Sequence, residues 1–554
     1  MMKIILLCGL FFVNSLGTFA NDVIVHLENG LVRGEKRMGE MGNAFFSFRG
    51  IPFAEPPVGN LRFRPPVPKR PWKEEIDATK EAPACPQKNF IIKKHLGQED
   101  CLYLNVYTPM IPENNDGTKL DVLFHIHGGG FKLCDGGTLV CGPDRMPLEE
   151  MIMVSPNYRL GPLGFLSTND SSSPGNYGLL DQVEALRWVR NNIHHFGGDP
   201  DKVTILGISA GGASVIYQML SPLSEGLFQR AVSMSGSPLN PWALQEDPVY
   251  WATRLAKDVN CPIETSEEMV ACLRGKTAEE LIAKSDHQIR NVDLFAFVPT
   301  IDRFFIDTHP LDILKEGKYN KNVPLIIGAT KDEGNCWLLL DRTASSTDYT
   351  DDEILESLQH TVDVRPNIDK VIQRVKDEYF SRLVSHEAEE VQKLLGKVIT
   401  DGMFHKAIYQ TVKLMVEAGT ETYFYRFDFE TINAVLVFFN KTGHYGVCHG
   451  DDISMLFKGT LFPFPLPDPD SEKMKMSYQK LMLNFIKFGN PTITKDDDIC
   501  EWPAAQPNKL HQYHIDKQCS VDVYDETKDE MYSFWTQEIP QLYSKNKLIQ
   551  KEEL

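Results

Sequence analysis

The sequence predicts an α/β fold, in which helices cover both faces of a mainly parallel β-sheet. Strand-like and helix-like segments alternate along most of the 554 residues, and this alternation is typical of parallel sheets. No internal repeat, low-complexity tract or long linker interrupts it. A serine flanked by glycines also stands where a β-branched run passes into an apolar, helix-like run, as expected of a strand-to-helix turn.

The clearest elements can be assigned in chain order. We predict strands at 121–126 and 151–155, a helix at 182–192, strands at 203–206, 323–328 and 422–427, and a helix at 481–488. The stretch from Pro248 to Val398 is richer in helical periodicity and is compatible with an insertion or lid. Length alone suggests about two to four domains. We nevertheless expect one large domain over residues 21–545.

A short motif in the middle of the chain carries the strongest functional signal. Residues 207–211 read Gly-Ile-Ser-Ala-Gly, between the strand-like run and a buried helix-like run at 212–220. Such a motif at a strand-to-helix turn is a nucleophile elbow, in which a strained serine exposes its hydroxyl. Glycines are needed there because a Cβ would collide with the neighbouring element. The alternative is a glycine-rich turn, so Ser209 is a nucleophile only if it has partners.

Two side chains downstream are predicted to activate Ser209. A serine hydroxyl needs a base to take its proton, and a carboxylate usually orients that base. The run 323–328 ends in an acidic loop, where we predict Glu333 as the acid, with Asp332 as the local competitor. His449, in a loop bracketed by glycines, is the predicted base, and His444 is its nearby rival. The order serine, acid, histidine is that of α/β-hydrolases.

A glycine-rich loop is predicted to supply backbone donors for an oxyanion. The run 127–130, His-Gly-Gly-Gly, follows a predicted strand, and we assign the N–H groups of Gly129, Gly130 and Ala210 to the oxyanion hole. A flexible loop or a phosphate cradle is the alternative, but a Walker lysine is absent. A metal site at His125 and His127 is not expected, because no carboxylate or third histidine stands at a suitable spacing. We therefore predict neither metal nor cofactor.

Composition and charge exclude some partners. The chain has 42% hydrophobic and 24% charged residues, like ordinary globular proteins. Its formal net charge of −19 argues against binding to nucleic acid or to an anionic membrane surface. The predicted partner is a small-molecule substrate, and the oligomeric state stays open.

The two ends of the chain indicate the secretory pathway. A lysine, an apolar run at 4–13 and small residues before position 21 predict a signal peptide over residues 1–20. The apolar run is too short for a membrane span, which needs about 20 residues. The tail 546–554 ends in Lys-Glu-Glu-Leu, one substitution from an endoplasmic-reticulum retrieval signal. We expect retention in the lumen or, if the tail is only a frayed end, secretion.

Export permits disulfide bonds and glycosylation. Cys85 and Cys101 bracket one short polar loop, and Cys261 and Cys272 bracket another, so we pair each set locally, although sequence cannot decide connectivity. The pairing stays open for Cys134, Cys141, Cys336, Cys448, Cys500 and Cys519. Acceptor sequences for N-glycosylation begin at Asn169 and Asn440.

With these motifs in order, the chain resembles the type-B carboxylesterases, a branch of the α/β-hydrolases that includes cholinesterases and insect esterases. Further segments are similar to that family's signatures, namely 48–54, 56–59, 99–106, 157–159, 178–182, 196–200 and 484–491. The resemblance implies an α/β-hydrolase fold, ester hydrolysis through an acyl-enzyme without a cofactor, and the two disulfide bonds above. It also implies ion pairs Arg49–Glu99 and Arg159–Asp181, and a serine, Ser235, near the catalytic histidine.

Departures from the family pattern bear on the substrate. Ile208 stands where many members have Glu and where juvenile hormone esterases usually have Gln, and no tryptophan lies between 86 and 100. Without a charge or an aromatic ring, a quaternary ammonium has little to hold it, so a cholinesterase is not expected. We expect apolar esters of small to medium size. The alternatives are a juvenile hormone esterase and a binding or scavenging member that turns over poorly.

Overall fold

The computed structural model describes residues 22–40, 42–89, 94–112, 119–285, 296–335, 348–361, 368–383, 386–431, 446–460, 468–493 and 499–543. The predicted signal peptide, the Lys-Glu-Glu-Leu end, Asn440, His444 and Cys336 lie outside these residues.

The described residues form one large mixed sheet and a separate two-stranded sheet. The strands are β1 Asp22–Leu27, β2 Gly30–Met38, β3 Ala44–Pro52, β4 Ile76–Asp77, β5 Gln87–Asn89, β6 Lys94–Leu96, β7 Tyr103–Thr108, β8 Leu120–Ile126, β9 Met151–Pro156, β10 Gly198–Ile208, β11 Arg230–Met234, β12 Leu325–Thr330, β13 Thr422–Phe427, β14 Leu510–Ile515 and β15 Ser520–Tyr524. The large sheet runs in the order β1-β2-β3-β7-β9-β8-β10-β11-β12-β13-β14-β15, with β4 beside β2. From β9 to β14 all neighbours are parallel, whereas the edges are antiparallel.

Helices fill most of the connections between strands. The α-helices are α1 Thr138–Cys141, α2 Gly161–Phe165, α3 Tyr177–Asn192, α4 Ala210–Leu220, α5 Pro248–Asp258, α6 Ser266–Arg274, α7 Ala278–Ser285, α8 Pro310–Glu316, α9 Asp351–Thr361, α10 Ile368–Phe380, α11 Ala388–Ile399, α12 Lys406–Glu417, α13 Pro469–Phe488, α14 Glu530–Ser533 and α15 Ile539–Tyr543. Among the described residues, Thr400–His405 and Phe534–Glu538 are π-helical. Within the described ranges, no helix combines the length and apolarity that crossing a bilayer would require.

The sheet buries apolar side chains on both faces, because successive residues of a strand point to opposite sides. Val122 and Phe124 of β8 join a core cluster with α3, α4 and α12, whereas Leu123 between them joins a second cluster with α13. In β12, Leu325 and Ile327 likewise belong to the first cluster, whereas Ile326 between them belongs to the second. This arrangement is the α/β-hydrolase architecture predicted from the sequence.

The helical stretch between Pro248 and Val398 is not detached from the sheet, since β12 lies within it and is one of the inner strands. Its later helices, α9, α10 and α11, form a third cluster with the C-terminal residues Phe534 and Trp535. There, a Cβ built on Gly402 would lie 2.8 Å from the Trp535 ring. The C-terminal residues therefore pack directly on the π-helix Thr400–His405.

Disulfide bonds join Cys85 to Cys101, Cys261 to Cys272 and Cys500 to Cys519. The third pair was left open by the sequence. Three such bonds fit a protein of the secretory pathway, where the compartment is oxidising.

One of the two expected ion pairs is wrong. Arg159 and Asp181 form a buried, bidentate pair with distances of 2.7 and 2.8 Å. Glu99, however, accepts from Arg62 at 2.7 Å, whereas Arg49 pairs with Glu35 and Glu81. The reason is strand register, since β2 places Glu35 opposite Ser47, two residues from Arg49 on the same face of β3.

A charged cluster lies at the β13–β15 edge of the sheet. His514 of β14 contacts Asp428 at 2.8 Å and Asp522 at 3.2 Å. The hydrogen bond to Asp428 raises the pKa of His514, against the opposing effect of burial, and Asp522 adds to the increase.

Candidate active site

The predicted nucleophile stands at a sharp turn between β10 and α4. Ser209 has φ 58° and ψ −123°, a region that non-glycine residues rarely adopt. Its N–H donates to the carbonyl of Met234 at 2.8 Å. Such a conformation costs roughly 1–3 kcal/mol and persists only where its surroundings enforce it. The serine is therefore held in a strained conformation at the C-terminal end of an inner strand.

The two glycines of the motif are required by close contacts. A Cβ on Gly207 would lie 2.3 Å from the carbonyl oxygen of Gly211, and a Cβ on Gly211 would lie 2.1 Å from that of Ile126. Both distances are far shorter than real Cβ contacts. The turn tolerates no side chain at either position, which is the reason given from the sequence for these glycines.

The glycine loop after β8 packs against the elbow. A Cβ on Gly128 would lie 2.7 Å from the Ile208 carbonyl oxygen and 3.2 Å from the Ser209 Cβ. Gly129 and Gly130 have φ of 103° and 61°. Neither of their amides donates a hydrogen bond to another described residue. Ala210 is the first residue of α4, where amides have no partner within the helix. The N–H groups of Gly129, Gly130 and Ala210 thus have no protein partner among the described residues, as expected of oxyanion donors.

Two buried histidines stand at the start of the glycine loop. The ring of His127 stacks on Tyr158 with centroids 4.2 Å apart, and the Tyr158 hydroxyl donates to the His127 carbonyl at 2.9 Å. Burial lowers the pKa of His127 to about 4 and that of His125 to about 3. Both imidazoles are therefore neutral near pH 7. Among the described residues, no group of three or more His, Cys, Asp or Glu side chains is arranged to hold a metal ion.

Three neighbouring strands deliver polar side chains to the same edge of the sheet. Ser209 follows β10, Ser235 follows β11, and Glu333 follows β12, and these strands are parallel neighbours. Glu333 is fully buried. Its Oε1 accepts from the Ser235 hydroxyl and, at 2.8 Å, from the N–H of Thr330. Its Oε2 contacts Nδ1 of His449.

The electrostatic balance keeps Glu333 ionised. Burial by itself would raise the pKa of this carboxyl group. His449, the Ser235 hydroxyl and His405 together outweigh burial, so the pKa of Glu333 lies below its ordinary value. A buried carboxylate that stays charged can orient an imidazole and stabilise its protonated form.

His449 is fixed by its neighbours on two sides. Its ring lies 4.8 Å from the Phe404 ring between centroids, and its Nδ1 contacts Glu333. A Cβ on the next residue, Gly450, would lie 3.8 Å from Cδ1 of Ile208, the residue before Ser209. The loop that carries His449 therefore packs beside the elbow.

Asp332, the competitor of Glu333, is engaged elsewhere. Its carboxylate accepts from the N–H of Val447 at 3.0 Å, and its own N–H donates to the Val447 carbonyl at 2.8 Å. These bonds hold the loop just before His449. In this geometry Asp332 acts on the backbone of the histidine loop, whereas Glu333 contacts the imidazole itself.

The sequence did not single out the aromatic residues beside His449. Phe404 belongs to the π-helix Thr400–His405, and its ring lies 5.7 Å from that of Trp242. Asn240 and Trp242 donate to the Met403 carbonyl at 2.7 and 3.0 Å. No spacing in the sequence links these segments, because they meet only when β11 and β12 lie side by side. Their apolar character was their only visible signal.

A buried acid beside the histidine loop was also missed. Asp452 is fully buried and accepts from the Tyr425 hydroxyl at 2.8 Å. Burial raises its pKa to about 7.

Of the two predicted glycosylation sites, Asn169 lies exposed in a loop with φ 54°, and Asn440 is outside the described residues.

Comparisons with known proteins agree with this architecture. Residues 21–535 match the model of the carboxylesterase family. The chain is 32% identical over 550 residues to venom carboxylesterase-6 of Apis mellifera, with 94% of each protein covered. It is 34% identical over 514 residues to esterase FE4 of Myzus persicae, covering 90% of this chain and 89% of that esterase. It is 35% identical over 501 residues to juvenile hormone esterase of Tribolium castaneum, with 84% of each covered.

The match spans the large sheet and every strand that carries a predicted catalytic residue. The chain therefore belongs to the carboxylesterase family, whose members are serine hydrolases of carboxylic esters.

Proposed function

We propose that this protein hydrolyses apolar carboxylic esters of small to medium size, with Ser209, His449 and Glu333 as its catalytic triad. One observation carries the proposal: the buried Glu333 carboxylate contacts Nδ1 of His449, in a loop that packs beside the strained Ser209. The contact at Nδ1 leaves Nε2 of the imidazole to serve as the base.

The mechanism is a two-step acyl transfer. His449 takes the hydroxyl proton of Ser209, whose oxygen attacks the ester carbonyl, and the N–H groups of Gly129, Gly130 and Ala210 stabilise the oxyanion. His449 then protonates the leaving alcohol. A water molecule, activated by the same imidazole, releases the carboxylic acid from the acyl-enzyme. These steps require no cofactor.

The surroundings of the triad favour an apolar substrate. Ile208 precedes the nucleophile, Phe404 lies beside the histidine, and Trp242 packs against Phe404. All three side chains are at least nine-tenths buried, and none carries a charge. A quaternary ammonium would find no carboxylate at position 208. Acyl or alcohol groups made of hydrocarbon would instead bury their surface against these side chains.

The test is p-nitrophenyl acetate hydrolysis by wild type, Ser209→Ala, Glu333→Gln and the matched control Asp332→Asn. We expect no turnover above background for Ser209→Ala. For Glu333→Gln we expect a fall of about 10⁴ in kcat, the size seen when a triad acid becomes an amide. Asp332→Asn retains an oxygen that can accept from Val447, so most activity remains.

Three outcomes would contradict parts of the proposal. Steady turnover by Ser209→Ala would exclude this serine as the nucleophile. A larger loss of kcat in Asp332→Asn than in Glu333→Gln would identify Asp332, and not Glu333, as the acid of the triad. A single burst that matches the enzyme concentration, without later turnover, would identify a scavenger instead of an esterase.

A second candidate is the hydrolysis of juvenile hormone. The relative from Tribolium castaneum that bears this name is 35% identical to the chain. Ile208 argues for weaker binding than in enzymes with Gln at this position. Comparing kcat/KM for the methyl ester of a terpenoid acid with that for p-nitrophenyl butyrate decides between the two substrates.

We further propose glycosylation at Asn169 and Asn440 and retention in the endoplasmic reticulum through residues 551–554. The exposure of Asn169 supports its modification. Deleting residues 551–554 in secreting cells should move the protein into the medium. An unchanged distribution would exclude retrieval through these residues. A shift in mass after glycosidase treatment that becomes smaller in Asn169→Gln, by the mass of one glycan, tests the first site.

A further inference from the structure

The π-helix Thr400–His405 holds the loop of the triad acid at both of its ends. At the first residue of the π-helix, Oγ1 of Thr400 accepts from the N–H of Gly334 at 2.9 Å. At the last residue, Nε2 of His405 donates to the carbonyl of Thr330 at 2.8 Å. Glu333 lies between these two points, and its Oε1 is bound by the N–H of Thr330.

The width of the π-helix explains how one short segment can make both contacts. A π-helix closes hydrogen bonds between residues five apart, so positions 400 and 405 lie on the same face of the helix. In an α-helix, residues five apart point about 140° away from each other. An α-helical segment would therefore turn either Thr400 or His405 away from the loop.

Further contacts lock the π-helix in place. Asn240 and Trp242 donate to the Met403 carbonyl. The ring of His405 stacks on Tyr409, with centroids 5.3 Å apart and planes 16° apart. Phe404, between the two loop contacts, lies on the ring of His449. The same segment thus touches the acid loop and the base.

We propose that Thr400 and His405 are positioning residues, which hold the Glu333 carboxylate in register with Nδ1 of His449. This inference rests on the proposed triad. His405 acts on the Thr330 carbonyl, and the N–H of Thr330 in turn binds Glu333. Without these anchors the carboxylate would shift relative to the imidazole, and misplacement by about 1 Å can lower a rate about 100-fold.

The test compares three variants with wild type. His405→Leu removes the donor, His405→Gln keeps an N–H at a similar reach, and Thr400→Val removes the acceptor while keeping the shape. The matched control is His511→Leu, because His511 also bonds a main-chain carbonyl, that of Ala504, but lies on β14. The measurements are kcat and KM for p-nitrophenyl butyrate, the thermal unfolding temperature, and the low-field proton resonance of the Glu333–His449 bond.

We expect kcat to fall at least about tenfold in His405→Leu and Thr400→Val, with KM within about twofold of wild type. The low-field resonance should weaken or move in both. His405→Gln should recover most of kcat, and His511→Leu should match wild type. If His405→Leu does not fold, Thr400→Val alone decides.

Unchanged kcat in both His405→Leu and Thr400→Val would overturn the inference. The inference would also be overturned if His405→Gln lost as much kcat and as much thermal stability as His405→Leu. That result would indicate that His405 has a role in folding only. Ser209→Ala is measured in parallel. Turnover by that variant would refute the proposed triad itself, whereas an inactive Ser209→Ala beside fully active His405→Leu and Thr400→Val would refute only the positioning role.

Discussion

Replacing Ser235 by alanine removes one of the donors that keep the Glu333 carboxylate charged. The substitution leaves the backbone intact, because the N–H of Ser235 still donates to the Gly328 carbonyl. Glu333 retains the N–H of Thr330 and the contact with His449. The expected effect is therefore confined to the stability of one buried negative charge.

The magnitude follows from the type of bond lost. A hydrogen bond to a charged group contributes about 1.5–3 kcal/mol. If the protonated imidazole of His449 in the transition state feels this loss in full, kcat/KM falls about 10- to 100-fold. The pKa of Glu333, now below its ordinary value, also rises. A lowered carboxyl pKa contributes stability that is present above the unfolded-state pKa and lost as the pH falls through the folded-state pKa. Acid unfolding of Ser235→Ala should therefore begin at a higher pH than in wild type.

The assay combines pH-dependent hydrolysis of p-nitrophenyl butyrate with acid unfolding followed by circular dichroism. Ser237→Ala is the matched control, since this serine is equally buried two residues later but bonds the neutral Thr411 hydroxyl. It should lower stability without moving the pH of acid unfolding. The reasoning is refuted if Ser235→Ala stays within about twofold of wild-type kcat/KM, or if both variants show the same pH shift.

Three further predictions concern stability. Gly211→Ala forces its Cβ to within 2.1 Å of the Ile126 carbonyl, so we expect little folded protein, and a thermal unfolding temperature equal to wild type would contradict this. Replacing Cys500 and Cys519 by alanine opens a loop closed over 19 residues and should lower the free energy of unfolding in guanidinium by about 3 kcal/mol. A loss below about 1 kcal/mol would show that this loop is already ordered in the unfolded chain. The raised pKa of His514 gives stability that is present below its unfolded-state pKa and is lost as the pH rises through the folded-state value. His514→Gln should therefore be less stable than wild type by about 1 kcal/mol near pH 6 and by less near pH 9, and a difference independent of pH would contradict the ion pairs.

Elements with strong local signals could be predicted from the sequence. The strand at 422–427 has the bounds of β13, and the strand-to-helix turn at Ser209 lies where the motif put it. The helix predicted at 182–192 begins five residues earlier, at Tyr177. The helix predicted at 481–488 begins at Pro469, because its first turns are polar and mask the apolar face.

Features that depend on how separate segments pack together could not be predicted. The ion pair assigned to Arg49 and Glu99 is an example. The pairing of β2 with β3 brings Glu35 beside Arg49. Glu99 instead forms its ion pair with Arg62. The π-helix is another, since the donors to its Met403 carbonyl, Asn240 and Trp242, stand 163 and 161 residues earlier in the chain. In both cases the partner is chosen by three-dimensional packing, and the residues on either side of the side chain give no sign of it.

The packing of Trp535 on Gly402 has a consequence for biosynthesis. The ring comes from the last described stretch of the chain, yet it braces the segment that touches the Glu333 loop and the imidazole of His449. Trp535 follows Gly402 by 133 residues (535 − 402), so a ribosome must synthesise all of them before this brace can dock. Chains that stop before Trp535 would leave the apolar side chains of the third cluster uncovered, and we expect such chains to hydrolyse esters poorly.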